Sequence, residues 1–438
     1  MKICVYVQDR YSKTAYKKES YNIRINAGIQ IVKDILERIG YMVDFAGKAT
    51  VHKYDVVLWQ CTSDCDWWDF IAECQEWRSG QYKVVAGGAG VLNARPFLDY
   101  VDYFVLGRAE GVIEPLIRGL DECGEYEGPS VINSKTFSPN KEYFINQVAC
   151  SYPHEIKLEN GKTYKETSIG CNHKCNFCGY TWHRKHLSGV FSYDDSLWGQ
   201  KNPDVERAIL DMENLKNIDY TKLRTTAIDG VSERLRFMAN KKITKEMIKK
   251  TLVTLVERAK PHQLRIFNIV GYPTETAEDY REFPETLDAV DAQYKPRSKQ
   301  FPLILHNTPF RAMPATPFAC KPMVYQDFRG VIAKRMMSRG GGKGKIFFKG
   351  GVLFAVESMA TDSLPTVIQS AIVWRGLESD AENIKRLARS KKFTNASAAV
   401  KLKTLEKYFD VARLFREQTP DELPTKYLKT YAKIEKMW

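Results

Sequence analysis

The feature that most constrains the fold is the alternation of short apolar runs with helical patterns over residues 1–125. An apolar run of strand length, then an amphipathic helix, then another such run is typical of a parallel sheet with helices on both faces. Glycines close several of the runs, as expected at turns between strands and helices. The predicted strands are residues 3–7, 41–45, 55–60, 83–86 and 101–106.

The helices between these strands are predicted from apolar residues at three- and four-residue spacing. The clearest pattern covers residues 22–39, where Ile29, Val32 and Leu36 share one stripe and Gly40 stands where a helix ends. The first part of the chain is therefore predicted to be an α/β domain with a doubly wound parallel sheet.

Three closely spaced cysteines, Cys171, Cys175 and Cys178, form the pattern C-x3-C-x2-C after the strand-like segment 165–169. Because the sequence shows no secretion signal, such thiols are expected to bind metal rather than form disulfides. Three thiolates are one fewer than a closed structural zinc site needs. On a [4Fe–4S] cluster they would leave one iron open for another ligand.

This pattern, with Phe177 before the last cysteine, resembles the cluster motif of the radical S-adenosylmethionine (SAM) superfamily. The resemblance implies that the cysteines hold a [4Fe–4S] cluster whose open iron is chelated by the methionine part of SAM. It also implies that an electron, supplied by a flavodoxin- or ferredoxin-type reductant, cleaves SAM to a 5′-deoxyadenosyl radical. The cofactors would carry the chemistry, and the protein would supply position and exclusion of water.

An alternative for the same segment is a zinc knuckle in which His173, His183 or His186 is the fourth ligand. Gly179 follows the last cysteine directly, and a residue without a side chain would let the backbone approach a cluster and SAM closely. The sequence allows two readings of His183 and His186, as contacts to SAM or substrate or as parts of a polar loop.

Residues 1–125 resemble the cobalamin-binding-type domain that precedes many radical SAM barrels, through the strings DVVL, VVAGG and VDYFVLGRAE. The cobalt-ligating loop Asp-x-His-x-x-Gly does not occur, and His52 is the only histidine in residues 1–150. The resemblance therefore implies a cobalamin-binding-like fold and leaves bound cobalamin open. The alternative is a domain that packs on the barrel and helps to cover the substrate.

A second motif, DGVSERLR at residues 229–236, follows a predicted strand at 222–228. It resembles the SAM-handling region of cobalamin-domain and methylthiotransferase-like radical SAM proteins. Hydroxyl and carboxylate groups suit a ribose, and a guanidinium suits a carboxylate. The alternative is a helix start that Ser232 caps. The resemblance implies that four residues lie near SAM: Asp229, Ser232, Glu233 and Arg236.

A third motif, GYPTET at residues 271–276, follows the apolar strand pattern 264–270. It resembles the fifth-strand motif of the superfamily, which packs along the adenine of SAM, and implies that Gly271 and Glu275 lie near the cofactor. The three motifs together imply a partial parallel (β/α)6 barrel at residues 165–320, with its site at the carboxyl ends of the strands.

The composition is that of a globular chain, with 438 residues of which 44% are hydrophobic and 27% charged. No apolar run approaches the ~20 residues that a membrane span needs. Ten cysteines without a secretion signal predict a reducing, cytoplasmic compartment. Cys61 and Cys65 are predicted to be ordinary thiols, because no histidine lies near them in the sequence.

Basic charge is concentrated near the end of the chain. Residues 319–438 contain 23 Lys and Arg against 12 Asp and Glu, which is eleven of the thirteen net positive charges. Interleaved aromatic residues add stacking to phosphate contact, a combination suited to single strands or flipped bases. The alternative is a solvated helical face. The predicted nucleic-acid contacts are Lys343, Lys345, Arg389, Lys391 and Lys392.

The predicted organisation has four parts: 1–125, a cobalamin-binding-like domain; 126–164, a turn-rich linker; 165–320, the barrel; and 321–438, a mostly helical basic region. The predicted function is a radical SAM isomerase, mutase or transferase acting on a modified base in DNA or RNA. Phage enzymes that act on hypermodified thymine are one analogy.

Three alternatives stay open. A cobalamin-dependent methyltransferase acting on a small molecule or peptide would keep the same domains. A methylthiotransferase acting on transfer RNA would need a second cluster, for which the N-terminal cysteines lack a three-thiolate set. A non-catalytic zinc- and nucleic-acid-binding protein belongs to a different class.

Overall fold

The computed structural model describes residues 1–8, 27–74, 78, 82–147, 155–157, 163–165, 168–169, 173–183, 187–188, 220–221, 223–294, 299–329, 331–332, 354–360 and 362–429. Several predicted features lie outside these residues: Cys171, His186, Lys343, Lys345 and a helix at 204–215. None of the described helices has the length and the apolar run that a membrane-crossing helix needs.

The first sheet has six strands: β1 (Ile3–Tyr6), β2 (Val43–Ala46), β3 (Val56–Gln60), β4 (Lys83–Gly87), β5 (Tyr103–Val105) and β6 (Val131–Asn133). Their order is β2-β1-β3-β4-β5-β6, and every pair is parallel except β5 with β6. The strand order reverses between β1 and β3, as in flavodoxin-like doubly wound sheets. The predicted α/β class with a parallel sheet is confirmed, and the segment predicted as a linker supplies the antiparallel edge strand.

Three helices follow strands of this sheet: α1 (Ala27–Arg38), α2 (Asp66–Cys74) and α3 (Ile113–Cys123). Successive side chains of a strand point to opposite faces. Ile3 and Val5 accordingly join the core beneath α1 and α3, whereas Cys4 and Tyr6 join the core beneath α2. Burial on both faces explains why these strands are continuous apolar runs in the sequence.

Short strands follow: β7 (Tyr143–Phe144), β8 (Glu155–Lys157), β9 (Thr163–Lys165), β10 (Ser168–Ile169) and β11 (Leu187–Ser188). β8 pairs antiparallel with β9, and β10 pairs antiparallel with β11. The cysteine motif therefore lies between the two strands of a small antiparallel ladder, although the sequence predicted a parallel barrel strand before it.

The second sheet is parallel and has the order β12-β13-β14-β15. Its strands are β12 (Thr225–Ala227), β13 (Leu264–Val270), β14 (Phe301–Pro309) and β15 (Phe354–Ala360). The described helices between the cysteine motif and β14 are α4 (Gly179–Trp182), α5 (Glu233–Met238), α6 (Lys245–Arg258) and α7 (Glu282–Asp291). The described part of the second sheet thus has four parallel strands, and a six-stranded barrel stays a prediction. β15 lies beyond residue 320, so the region predicted as a separate basic tail contributes a strand to this sheet.

The two faces of the second sheet differ. Leu264 and Ile266 share a core with α6 and α7. On the opposite face, Phe267 is 40% exposed and Met359 is 41% exposed. This matters for the site because an all-parallel sheet normally has both faces covered.

The last part of the described chain contains α8 (Leu364–Arg375), α9 (Ala381–Ala388), α10 (Lys391–Thr394), α11 (Ala398–Tyr408), α12 (Val411–Phe415) and β16 (Leu428–Lys429). It packs on the N-terminal part. β16 pairs in parallel with β7, and the Tyr427 hydroxyl donates to the Leu92 carbonyl at 3.2 Å. The Asn93 side chain donates to the Val373 and Gly376 carbonyls at 3.0 and 2.9 Å.

Candidate functional site

The described half of the cysteine motif is a tight loop held against the end of α5. The Asn240 side chain donates to the Lys174 carbonyl at 2.9 Å. Lys174 and Asn240 both have left-handed backbones, with φ of 49° and 56°, a conformation that costs most residues energy. Asn is one of the few residue types that tolerate it. The loop therefore has a defined shape around buried Cys175.

Further bonds fix the two sides of this loop. The Asn176 backbone N–H donates to the Ala239 carbonyl at 2.9 Å, and the Asn176 side chain donates to the Met238 carbonyl at 3.0 Å. The Trp182 indole donates to the Cys175 carbonyl at 2.9 Å. On the other side, Asn176 accepts from the Phe318 backbone N–H at 3.0 Å. Cys175 and Cys178 are thus positioned by backbone bonds to neighbouring segments.

Gly179 is closely packed in this loop. A Cβ at this position would lie 2.6 Å from His183 Cε1 and 3.1 Å from Met313 Cε. His183 is buried, and its Nε2 lies 2.8 Å from the Pro314 carbonyl oxygen. The histidine ring thus gives one reason for glycine at this position, and close approach of a cofactor stays a prediction.

Tyr272 is the residue on which the three sequence motifs converge. It is 0% exposed, and its hydroxyl donates to the Asp229 carbonyl at 2.9 Å. The Tyr272 ring centroid lies 6.1 Å from that of Phe177, which stands between Cys175 and Cys178 in the sequence. Burial, followed by the charges of Asp229, Cys175, Glu275 and Cys178, raises the pKa of the Tyr272 phenol well above its usual value. Chemistry-bearing groups from all three motifs therefore surround one neutral phenol.

The loop after β13 is closed by Glu275. Its carboxylate accepts from the backbone N–H groups of Gly271 and Tyr272 at 2.8 and 3.3 Å, and from the Tyr280 hydroxyl. Gly271 has a left-handed φ of 74°, and a Cβ there would lie 2.6 Å from Phe328 Cζ. Glu275 therefore holds the turn that carries Tyr272.

Asp229 stands at the carboxyl end of β12 with a left-handed φ of 51°. Its Oδ2 lies 2.7 Å from the ammonium of Lys241, which is buried. The ion pair lies beside the cysteine loop, because Lys241 directly follows Asn240. This end of the sheet thus carries both signs of charge next to Cys175 and Cys178.

Ser232 acts as the N-cap of α5, which was the alternative raised from the sequence. Its hydroxyl accepts from the Leu235 backbone N–H at 3.3 Å and donates to Asp279 at 2.6 Å. Arg234 also bonds Asp279, at 3.1 Å from Nε and 2.6 Å from the terminal nitrogen. The second and third motifs are therefore joined by a hydrogen-bonded carboxylate.

Arg236 is 0% exposed and donates to the Ile243 and Gly230 carbonyls and to the Glu282 carboxylate, at 2.6, 3.0 and 2.6 Å. The Glu233 carboxylate accepts from the Lys245 backbone N–H. Complete burial leaves Arg236 no surface for direct contact with a cofactor. We therefore treat it as a positioning residue, and its predicted place near SAM stays a prediction.

The glycine turns that carry the likeness to a cobalamin-binding domain pack on the chain itself. A Cβ at Gly88 would lie 2.4 Å from the Cys61 carbonyl oxygen. A Cβ at Gly107 would lie 2.2 Å from the Asn146 carbonyl oxygen. These glycines are accounted for by close backbone packing and form no open cradle for a corrinoid, so we derive no step through cobalamin.

The chemistry of the described thiols fits an iron–sulfur cluster, since thiolates are its ligands. The pattern needs Cys171 as the third ligand, and this residue lies outside the described part. Within that part, no group of three or more His, Cys, Asp or Glu side chains is arranged to hold a metal ion.

No protein-family model matches the chain, and no curated protein matches it. The cobalamin-dependent S-adenosylmethionine radical enzyme OxsB, with aqua-cobalamin and S-adenosylmethionine bound, is 9% identical at a TM-score of 0.25; the match covers 99% of this chain and 60% of that chain. The same enzyme with aqua-cobalamin alone is 10% identical at a TM-score of 0.25, over the same shares.

The chain thus spans 60% of the length of these solved structures. A likeness at this TM-score carries no argument about activity.

Sequence reasoning missed Tyr272, Asn240 and Lys241. Tyr272 is the second residue of the third motif, directly after Gly271, so its place in the motif was the available signal. Asn240 and Lys241 follow α5 without any motif. Only their fold-dependent contacts with Lys174 and Asp229 identify them.

Proposed function

We propose that this chain is a radical SAM enzyme that modifies or rearranges a base in nucleic acid. The observation that supports this proposal is the convergence of the cysteine loop, the Asp229 turn and the Gly271–Glu275 turn around buried Tyr272. Each segment comes from a different one of the three motifs. Independent segments that meet at one end of a parallel sheet are typical of an active site.

Cys175 and Cys178, together with Cys171, would hold the [4Fe–4S] cluster. When bound, the cluster would supply the electron for reductive cleavage of SAM, with 5′-deoxyadenosine as the measurable product. The protein's part is positional: Asn240 and Asn176 fix the loop, and Tyr272 keeps the turn after β13 against it.

The substrate would lie on the open face of the second sheet. Phe267 and Met359 are exposed there, and the Phe267 ring centroid lies 5.4 Å from that of His306. Phe267 and the Asp229 turn are directly connected, since the Phe267 carbonyl accepts from the Ile228 backbone N–H at 2.9 Å. A flat ligand could therefore contact the aromatic pair beside the proposed cofactor site.

The test is anaerobic reconstitution with iron and sulfide, followed by metal analysis and a reductive SAM-cleavage assay. We expect about four iron per chain and release of 5′-deoxyadenosine. Cys175→Ala and Cys178→Ala should abolish both, whereas Cys123→Ala, an exposed cysteine outside the motif, should change neither. About one zinc per chain without iron would instead support the zinc-binding alternative.

A further inference from the structure

Helices α9, α10 and α11 lie within residues 381–408, which contain eight Lys and Arg but only two Asp and Glu. We call the following five residues the basic face, and all of them are exposed. They are Arg386, Lys391, Lys392, Lys403 and Lys407. Lys401 is half-buried and lies nearly opposite Lys403 on α11, so it is not included.

The basic face differs from its surroundings in charge pairing. Neighbouring basic residues of the C-terminal part are paired: Arg413 with Asp380 at 2.9 Å and Arg416 with Glu422 at 2.7 Å. Within 381–408 the ion pair that the described residues show is Lys385 with Glu382, at 3.2 Å. Like charges kept together without acidic partners repel one another, and a polyanion would relieve that repulsion.

Within residues 374–409, which the structure describes throughout, the aromatic residues do not offer their faces for stacking. Trp374, Phe393 and Phe409 are buried in the core. The ring of half-buried Tyr408 makes cation–π contacts with two basic side chains. The Arg386 guanidinium lies 5.4 Å from the ring centroid, and the Lys407 ammonium lies 5.5 Å from it. The described surface therefore suits contact with phosphates more than stacking of unpaired bases.

Three of the residues predicted to contact nucleic acid lie in this region, and they differ in exposure. Lys391 and Lys392 are exposed at α10. Arg389 is half-buried and lies close enough to Cys74 and Tyr100 to affect the pKa of each group. Arg389 therefore faces the N-terminal part, which leaves the lysines as the accessible charges.

From these observations we propose that the basic face binds the phosphate backbone of double-stranded nucleic acid without reading its sequence. The inference deepens the proposed function. It rests on that function because the bound nucleic acid would carry the substrate base. Binding itself is measurable without turnover, so the two can fail separately.

The test is fluorescence anisotropy with the full chain and a labelled duplex of random sequence, at several salt concentrations. Five phosphate contacts predict a slope of log K against log salt of about −4.5, from roughly −0.9 per contact. At 0.1 M salt each contact then contributes about eightfold in affinity. A Lys391→Glu/Lys392→Glu double variant loses two contacts and gains repulsion, so it should bind at least about 60-fold more weakly, with a slope reduced by about 2.

A matched control is Lys250→Glu/Lys260→Glu, which makes the same charge change at two exposed lysines outside the basic face. It should lower affinity far less. Equal losses in both variants would overturn the proposal, because the effect would then belong to net charge. Tighter binding of a single strand than of the duplex, or binding of anionic phospholipid vesicles without the duplex, would overturn it as well.

Reductive SAM cleavage, measured in the absence of nucleic acid, separates this inference from the proposed function. The Lys391→Glu/Lys392→Glu variant should cleave SAM at the wild-type rate. If the wild-type chain binds the duplex but never yields 5′-deoxyadenosine, the proposed function fails and the binding surface stands. If it cleaves SAM but does not bind the duplex, the surface fails alone.

Discussion

Replacing Gly271 by alanine tests the packing of the turn that carries Tyr272. The substitution has two costs. A left-handed backbone with φ of 74° costs alanine about 1–2 kcal/mol. A Cβ 2.6 Å from Phe328 Cζ adds an overpacking cost of about 1–3 kcal/mol, because the ring is buried and must shift. The expected loss of stability is therefore about 2–5 kcal/mol.

Gly124→Ala is the matched control. Gly124 ends α3 with φ of 75°, and a Cβ there would meet nothing within 4 Å. It should therefore cost only the backbone part, about 1–2 kcal/mol. The difference between the two variants isolates the contact with Phe328.

Urea unfolding of the two variants and the wild type provides the measurement, with shifts in midpoint compared at unchanged slope. A Phe328→Leu background completes a double-mutant cycle, and there Gly271→Ala should cost no more than Gly124→Ala. Equal losses for the two glycine variants in the wild-type background would refute the steric argument.

Substitutions at three further residues test other contacts. Tyr272→Phe removes the bond to the Asp229 carbonyl and should lower the free energy of unfolding by about 1–3 kcal/mol, measured in urea. Asn240→Ala should lower iron content after reconstitution more than Asn240→Gly, which keeps the left-handed backbone but also loses the bond to Lys174. For Asp279, burial raises the pKa, but hydrogen bonds from Arg234, Ser232 and Thr276 outweigh it and leave the pKa below its usual value. The stabilisation that ionised Asp279 gives is therefore complete above about pH 4 and is lost as pH falls through its folded pKa. In Asp279→Asn the free energy of unfolding, measured in urea at several pH values, should fall less steeply with acid than in the wild type.

The N-terminal sheet could be predicted from the sequence because local patterns determine it. In β1, alternate residues enter two different cores, and the resulting unbroken apolar run is visible in the sequence. The antiparallel strand β6 was missed because it has three residues within a turn-rich segment. Strand β15 was missed because its membership of the second sheet depends on pairing with β14, far away in sequence.

The candidate site was only partly predictable. Cysteine spacing identifies Cys175 and Cys178 because cluster chemistry constrains it directly. The role of Arg236 could not be read from its type, since a guanidinium serves equally well as an anion clamp or as a buried donor to carbonyls. Its complete burial decides between the two, and burial depends on where α5 and α7 meet.

The bond between Tyr427 and Leu92 joins residues 335 positions apart in the chain. At the usual rates of ribosomal synthesis, the segment around Leu92 is made roughly 20–70 s before its partner exists. During that interval Asn93 also lacks the carbonyls of Val373 and Gly376. Until those partners are made, the polar groups of Leu92 and Asn93 are exposed to solvent, and chaperones or misassembly compete for this part of the chain. Truncation before residue 373 would remove the partners permanently.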